Sequence, residues 1–242
     1  MTALIDAVRT VLLPLPEVSR LISLRRSTSL FSQGQTADAL YFLEEGLVKL
    51  TRTNESADRV ILSILGPGEL LGDEALARGA SNYQVDAEIL TTASLWRIPR
   101  DVLHRMAAEN SNLSASLLDH LVQHKVTLAR KVELLCLHDV EYRILYYLAE
   151  LSSLVKSSDI DGGHQLPLTQ AELADLIGAT RETTSTTLNQ LERRGLLKLS
   201  RRLLTIPSVS TLRDAVGPKK LAEAPVVSPA IPSLTLTANG GI

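Results

Sequence analysis

The sequence of 242 residues has few aromatic side chains, a single cysteine and no long apolar run. Aromatic residues make up only 3% of the chain, so aliphatic side chains, mostly leucine, must build the core. The single cysteine, Cys136, excludes an intramolecular disulfide and any site that needs several thiolates from one chain. It favours a reducing compartment, and we expect its side chain to be buried in a helix. No apolar run reaches the roughly 18 residues of a membrane span, so we expect no membrane partner.

The chain also lacks a strong net charge. It carries 25 Lys and Arg against 27 Asp and Glu, a formal charge of −2, so composition alone does not indicate nucleic acid. Apolar residues at 45% and charged residues at 21% exclude a wholly disordered chain. Asp6 and Arg9 interrupt the first apolar stretch, and Pro14 and Pro16 follow soon after. This pattern argues against a signal peptide and predicts a cytoplasmic protein.

Residues 27–99 show the pattern of short β-strands separated by turns that contain glycine. The predicted strands are Leu40–Leu43, Leu47–Thr51, Val60–Leu65, Gln84–Ile89 and Ser94–Ile98. No long helical pattern interrupts them, which predicts an antiparallel barrel or roll rather than a doubly wound parallel sheet. We assign residues 1–100 to this unit, together with a short N-terminal helical segment.

After the strands, apolar residues recur at intervals of three and four, which predicts helices. A helix capped by Ser111 is expected to run to about Leu137, a length of roughly 38 Å at 1.5 Å per residue. A helix this long exceeds the interior of a small domain. We therefore predict that residues 101–137 form a dimerisation seam, with simple packing on the roll as the alternative. Its apolar stripe consists of Leu117, Leu121, Leu128 and Val132.

Beyond this helix, Asp139 is predicted to cap a second helix, Val140–Leu154, which begins a unit of residues 138–213. The segment Lys156–Gln165 is predicted to be a polar connector. From about Asp214 the chain is rich in Pro, Ala, Ser and Thr, so we predict a disordered tail over residues 214–242.

Two capped helices joined by a glycine turn follow the connector. Thr169 and Glu172 have the spacing of a capping box, Gly178 supplies the turn, and Thr180 is placed to cap the next helix. This arrangement predicts a helix-turn-helix. Two short strands around Ser200–Arg202 then predict a wing.

The second of these helices separates into an apolar and a polar face. Leu188 and Leu191 are predicted to point inward, and the polar face carries Arg181, Glu182, Ser185, Thr186 and Asn189. Short polar side chains with one or two long ones suit the base edges of a DNA major groove. Residues 166–213 hold seven Lys or Arg against four Asp or Glu. Five of these residues form a basic run that suits DNA phosphates: Arg193, Arg194, Lys198, Arg201 and Arg202. The alternative is an ordinary solvated surface.

The order of roll, long helix, helix-turn-helix and wing resembles the Crp/Fnr family of bacterial transcription factors. The most specific likeness is Gly178–Thr183, supported by Leu40–Lys49 and Gly66–Gly72 in the roll, and His138–Val140 resembles the family's hinge. The resemblance implies an α+β protein: an antiparallel β-roll like cyclic-nucleotide-binding domains, a long dimerisation helix and a C-terminal winged helix-turn-helix.

The same resemblance implies a function. It predicts a homodimeric, sequence-specific transcription regulator that binds a near-palindromic double-stranded DNA operator, with RNA polymerase as a further partner. The DNA-binding residues it implies are Thr169, Thr180, Arg181, Glu182, Thr183, Ser185, Thr186, Asn189, Arg201 and Arg202. The alternative is a sensor or adaptor that acts through a protein partner, which DNA binding with a steep salt dependence would exclude.

The sensor site departs from the family pattern. Family members that bind cyclic AMP hold its phosphate with an Arg-Ser pair and its adenine with a Thr-Ser pair on the long helix. The matching positions here are Ser81 with Asn82 and Leu128 with Ala129. We therefore expect no control by cyclic AMP, and both a small-molecule effector and a cofactor stay unidentified. The predicted effector pocket comprises Gly72, Asp73, Ser81, Asn82, Leu128 and Ala129.

Neither metal chemistry nor catalysis is predicted. Among the five histidines, only His120 and His124 have a spacing that suits a metal or heme, and we expect them to be ordinary imidazoles. None of the common nucleophile, zinc or phosphate-loop motifs occurs, so we expect no enzyme.

Overall fold

The computed structural model describes residues 2–155 and 163–216 and has the predicted order of roll, long helix and winged helix-turn-helix. An N-terminal helix, α1 (Thr2–Ala7), continues through a π-helical turn at Val8–Leu12. This segment packs in a core that it shares with the roll and the long helix, which includes Val8, Leu12, Phe42 and Leu113. The N-terminal segment therefore covers one end of the roll.

Eight strands form the roll, in two four-stranded antiparallel sheets of order β1-β8-β3-β6 and β2-β7-β4-β5. Their bounds are β1 Ser19–Leu24, β2 Ser29–Phe31, β3 Ala39–Glu45, β4 Val48–Thr53, β5 Arg59–Leu65, β6 Leu70–Leu71, β7 Asp86–Ile89 and β8 Ala93–Pro99. Side chains from both sheets fill the interior, where Phe31 stacks on Tyr83 with ring centroids 3.9 Å apart. The roll therefore has a packed interior.

All five predicted strands are present, each with ends within two residues of the prediction. Three strands were missed: β1, β2 and β6. Most side chains of β1 are exposed, and β6 has only 2 residues, so neither produces an apolar alternation that a sequence pattern can reveal. The expectation that strands begin near residue 27 is wrong, because β1 pairs with β8 at the edge of its sheet.

Two helices follow the roll, α2 (Arg100–Glu109) and α3 (Ser111–Leu137). Asn110 caps α3, since its side-chain oxygen accepts a hydrogen bond from the Leu113 N–H at 2.9 Å. The prediction that Ser111 is the cap is therefore wrong by one position. The predicted end of α3 at Leu137 is confirmed.

The C-terminal unit begins with α4 (Val140–Ser152), which Asp139 caps as predicted. Its later elements are β9 His164–Leu166, α5 Gln170–Ile177, α6 Arg181–Arg193, β10 Lys198–Ser200, β11 Leu203–Ile206 and α7 Val209–Val216. The three strands form an antiparallel sheet of order β10-β11-β9.

Two predicted boundaries in this unit change. His164 and Gln165, predicted to lie in the connector, belong to β9 and pair with β11. A strand of 3 residues is too short to show a periodic pattern. Asp214 and Ala215, predicted to begin the tail, lie in α7. Gly163 of the predicted connector is also described, directly before β9, and Val216 of the predicted tail ends α7. Residues 156–162 and 217–242 lie outside the described residues.

One apolar core joins the roll to the C-terminal unit. Ile61 and Ile64 of β5 belong to the same buried cluster as Leu173 and Leu176 of α5, and the two elements contact each other. The first helix of the helix-turn-helix therefore packs on the roll. In the part of the chain that the structure describes, no helix combines the length and apolar character needed to cross a membrane.

Candidate nucleic-acid interface and effector pocket

Local hydrogen bonds define both ends of the turn between α5 and α6. Thr169 Oγ1 accepts from the Glu172 N–H, and the Glu172 carboxylate accepts from the Thr169 N–H, which confirms the predicted capping box. Gly178 ends α5 at a φ of 63°, where a Cβ atom would stand 2.7 Å from a leucine side chain of α3. Thr180 caps α6 through its side-chain oxygen, as predicted. The two helices therefore form a helix-turn-helix.

The two faces of α6 differ as predicted. Leu188 and Leu191 are fully buried, whereas the outer face has Ser185 half-buried and the following residues exposed: Arg181, Glu182, Thr183, Thr186 and Asn189. Within residues 2–155 and 163–216, the side chains of Arg181, Glu182 and Asn189 form no hydrogen bond or ion pair. Their donors and acceptors are therefore available to a ligand.

The wing places Arg201 and Arg202, both exposed, at the turn between β10 and β11.

Some residues expected to contact DNA already have partners within the protein. Arg194 pairs with Glu141 at 2.6 Å, so this member of the basic run is already engaged. The half-buried Thr169 donates its hydroxyl to Glu172 at 2.9 Å, so capping occupies the group that was expected to contact DNA.

Glu172 also joins the C-terminal unit to the roll. Its carboxylate lies 3.0 Å from Lys49 Nζ and 3.0 Å from an Arg26 guanidinium nitrogen, and Lys49 also pairs with Glu88. Burial opposes ionisation of Glu172, but the hydrogen bond from the Thr169 backbone and the charge of Lys49 lower its pKa below the usual value. We call Arg26, Lys49 and Glu172 the interdomain ion cluster. The sequence pattern did not reveal it.

A second buried polar contact ties α3 to the same two units. Lys131 Nζ donates to the carbonyl oxygen of Ile61 in β5 at 2.7 Å and to that of Leu176 in α5 at 2.9 Å. Burial lowers the pKa of Lys131 to about 8. The long helix, the roll and the helix-turn-helix therefore meet at this amine.

A cavity of about 180 Å³ lies between the roll and α3. Of the residues predicted to form the effector pocket, Gly72, Asp73 and Leu128 line it. Its other walls are mostly apolar, with the carboxylates of Glu69 and Glu74 and the polar side chains of Ser63, His124 and Thr127. Burial raises the pKa of Glu69 above its usual value.

The structure does not bring the other three predicted pocket residues to this cavity. The Ser81 carbonyl oxygen accepts from the Ala37 N–H, and Asn82 forms a β-bridge with Thr36, so this segment pairs with a loop on the roll. Ala129 is exposed and is not among the lining residues. Ser81, Asn82 and Ala129 therefore stand apart from the cavity.

Asp73 lies against both histidines of the long helix, an arrangement that the sequence pattern did not reveal. Asp73 Oδ1 is 3.2 Å from His120 Nε2, and Oδ2 is 2.6 Å from His124 Nδ1. Burial opposes ionisation of Asp73, but the hydrogen bonds of the histidines hold its pKa well below the usual range. Burial likewise opposes protonation of His124, and its contact with Asp73 nevertheless raises its pKa. We call Asp73, His120 and His124 the histidine–aspartate cluster. Its one sequence signal was the spacing of the two histidines.

The apolar stripe of α3 is only partly exposed. Leu121, Leu128 and Val132 are exposed, and Val132 reaches 60%. Leu117 is only 4% exposed and packs in the core that contains the N-terminal helix. Leu117, predicted to belong to the dimerisation stripe, is instead covered within one chain, because α1 packs on that end of α3. Cys136 is exposed, in contrast to the burial that we predicted, since it lies on the solvent side of the helix.

Comparisons with known proteins agree with this architecture. Profiles of the cyclic nucleotide-binding domain and the Crp-like helix-turn-helix domain match residues 21–110 and 142–215, respectively. The anaerobic regulatory protein of Haemophilus influenzae is 24% identical over 204 residues, which cover 84% of this chain and 79% of that protein. The transcriptional regulator SdrP of Thermus thermophilus is 29% identical over 187 residues, covering 77% and 85%. The solved structure of FixK2 from Bradyrhizobium japonicum has the same fold, with a TM-score of 0.70 and 21% identity over 81% of this chain and 96% of that one.

Proposed function

Because the chain belongs to the Crp/Fnr family of transcription regulators, we propose that two copies bind one DNA operator, with each α6 in the major groove. The family consists of transcription regulators rather than enzymes. The target in this proposal is a near-palindromic operator in the bacterial cytoplasm, with RNA polymerase as the partner at the promoter. The observation that carries the proposal is the polar face of α6, whose long side chains have no partner among the described residues.

The chemistry of this face supports recognition of base edges. The Arg181 guanidinium presents two parallel donors that match O6 and N7 of guanine, and the Glu182 carboxylate can accept from N4 of cytosine. Both residues lie in the first turn of α6, the part of a recognition helix that enters the groove. Thr186 is short, so we expect it to contact only a methyl group or one acceptor and to discriminate weakly.

The wing supports binding to the DNA backbone. Arg201 and Arg202 are exposed side by side at its turn, and Arg193 and Lys198 are exposed nearby. Cations that contact phosphates contribute affinity without sequence preference, and their contribution falls as salt rises. In this proposal α6 selects the sequence and the wing supplies general affinity.

The exposed apolar face of α3 supports a homodimer. Leu121, Leu128 and Val132 lie at intervals that place them on one side of the helix, and each is exposed in a single chain. A second copy packed about a two-fold axis would cover them. The same symmetry would place the two α6 helices about one turn of DNA apart on one face of the duplex.

The cavity between the roll and α3 does not suit a cyclic nucleotide. Three carboxylates line it, and none of the described residues that line it is lysine or arginine. The one imidazole in its lining, that of His124, already contacts Asp73. A buried phosphate needs a paired cation, and carboxylates repel it. We therefore propose that cyclic AMP does not control this protein.

Substitution of Arg181 tests the role of α6. We expect Arg181→Ala to cost about 1–3 kcal/mol on the preferred operator and to relax preference at one guanine. The measurement is selection from random duplexes, followed by binding assays over a range of salt concentrations. Arg201→Ala and Arg202→Ala are the matched controls, which should weaken all sequences alike and flatten the salt dependence.

Two results of this experiment would count against the proposal. An unchanged preferred sequence for Arg181→Ala would show that α6 does not select bases. Absence of salt-dependent DNA binding by the wild type would favour the alternative function, a sensor or adaptor that acts through a protein partner.

A charge placed on the exposed face of α3 tests the dimer. We expect Val132→Glu to give a monomer, because dimerisation would bury an unpaired carboxylate. Val132 suits this test because it does not line the cavity, as Leu128 does. Gln123→Glu adds the same charge about 180° around the helix and should leave the dimer intact. Sedimentation velocity at micromolar concentration measures both, and a monomeric wild type would refute the dimer.

A further inference from the structure

The histidine–aspartate cluster brings three metal-ligating groups together where the roll meets the long helix. Asp73 lies in the turn that follows β6, and His120 and His124 are one helical turn apart on the same face of α3. One ligand atom from each residue lies within 4.8 Å of the other two. Ligands around one metal ion at about 2.0–2.1 Å stand roughly 3 Å apart, so small side-chain movements suffice to surround an ion.

The donor atoms point toward one another rather than to separate partners. His120 presents Nε2 and His124 presents Nδ1 to the two oxygens of a single carboxylate. Without an ion, these contacts require a proton between each ring nitrogen and Asp73. A metal ion replaces those protons, because a neutral imidazole nitrogen and an ionised carboxylate are both ligands. The side chains are 7%, 28% and 24% exposed for His120, His124 and Asp73, so water competes only weakly for them.

The surroundings leave room for further ligands. Asp73 and His124 line the cavity of about 180 Å³, whose other walls include Glu69 and Thr127. Three protein ligands on one side of an ion and an open space on the other are typical of two-histidine, one-carboxylate sites. Water or a small ligand in the cavity can complete the coordination.

We propose that Asp73, His120 and His124 bind one divalent first-row transition-metal ion, of which ferrous iron and zinc match this donor set. The ion links the roll to α3 and so stabilises the junction between the sensor unit and the long helix. The proposal concerns the metal affinity of the chain itself and does not depend on DNA binding.

Metal titration of the tag-free, full-length protein tests this site. The protein is first treated with chelator, which is then removed. We expect each chain to bind about one equivalent of Co²⁺ or Zn²⁺, or of Fe²⁺ when oxygen is excluded. Bound Co²⁺ should show the visible absorption of a four- or five-coordinate ion, and each metal should raise the Tm. Asp73→Asn and His124→Gln should each reduce affinity by at least about 10-fold and abolish the rise in Tm.

Two variants serve as matched controls. His164→Gln removes a histidine that contacts a backbone oxygen in the C-terminal unit, and Asp119→Asn removes an exposed carboxylate next to His120 in sequence. Both should bind Co²⁺ as the wild type does. If Asp73→Asn fails to fold, the partly exposed His124 gives the decisive variant. Absence of stoichiometric binding by the wild type, or equal binding by His124→Gln, would overturn the proposal.

Discussion

Two buried polar clusters join the roll to other parts of the molecule, and they differ in how their carboxylate is surrounded. In the interdomain ion cluster, Glu172 has two cationic partners and a capping hydrogen bond, and it does not line the cavity between the roll and α3. In the histidine–aspartate cluster, Asp73 has two imidazoles and borders an open cavity. A carboxylate whose partners are all within the protein stabilises the fold, whereas one beside a cavity can also bind a ligand.

The two carboxylates also differ in the chemistry of the groups that they contact. Glu172 contacts an ammonium and a guanidinium group, which donate hydrogen bonds and offer no ligand atom to a metal ion. Asp73 meets groups that exchange protons or accept metal ions, so its contacts depend on what occupies the site. The first cluster therefore holds the helix-turn-helix on the roll, and the second lies between the roll and the long helix, beside the cavity.

The largest expected effect comes from breaking the interdomain ion cluster. Glu172→Gln keeps the shape and the capping interaction at this helix position but removes the charge that pairs with Lys49 and Arg26. We expect the free energy of unfolding to fall by about 3 kcal/mol, because the buried amine of Lys49 keeps only the more exposed Glu88 as an anionic partner. Urea denaturation at neutral pH measures this change.

The matched control for this prediction lies in the same interface. Arg59 and Asp175 form an ion pair at 2.8 Å between β5 and α5, and Arg59 is 42% exposed. Asp175→Asn should cost only about 0–1 kcal/mol, because solvent screens such a pair. Equal effects of the two substitutions would show that burial does not distinguish the cluster from an ordinary surface ion pair.

A smaller effect should come from Lys131, a buried amine that has no ion pair among the described residues. Its folded pKa is about 8, below the unfolded value of 10.5, so above pH 8 the folded protein binds fewer protons than the unfolded chain. The free energy of unfolding should therefore rise between about pH 8 and 10.5, by at most about 3 kcal/mol. The carbonyl oxygens of Ile61 and Leu176 favour the charged amine and reduce this rise.

Lys131→Met isolates this contribution. The difference in unfolding free energy between wild type and variant cancels the titration of the other groups, and we expect it to shift in favour of the wild type from pH 7.5 to 9.5. Thermal or urea unfolding at several pH values measures it. A difference that stays constant with pH would contradict the assignment of this titration to Lys131.

Sequence patterns predicted those parts of the candidate site that neighbouring residues define. The caps at Asp139, Thr169 and Thr180 were predicted because each uses a side chain and an N–H group within three residues. The faces of α6 follow from helical periodicity, as the burial of Leu188 and Leu191 confirms. Short strands such as β9 were not predicted, because pairing with another strand, rather than their own apolar pattern, gives them a strand conformation.

The sequence by itself determined the order of elements, the helix-turn-helix and the polar face of α6, since periodicity and capping act over a few residues. Only the tertiary structure decided which distant residues meet. Asp73 is 47 and 51 residues from its two histidines, and Lys49 is 123 residues from Glu172. The packing of the elements also keeps Ser81 and Asn82 away from the cavity and buries Leu117. Contacts of this kind depend on how whole elements pack, because burial and side-chain direction at each position come from neighbours that lie far away in the chain.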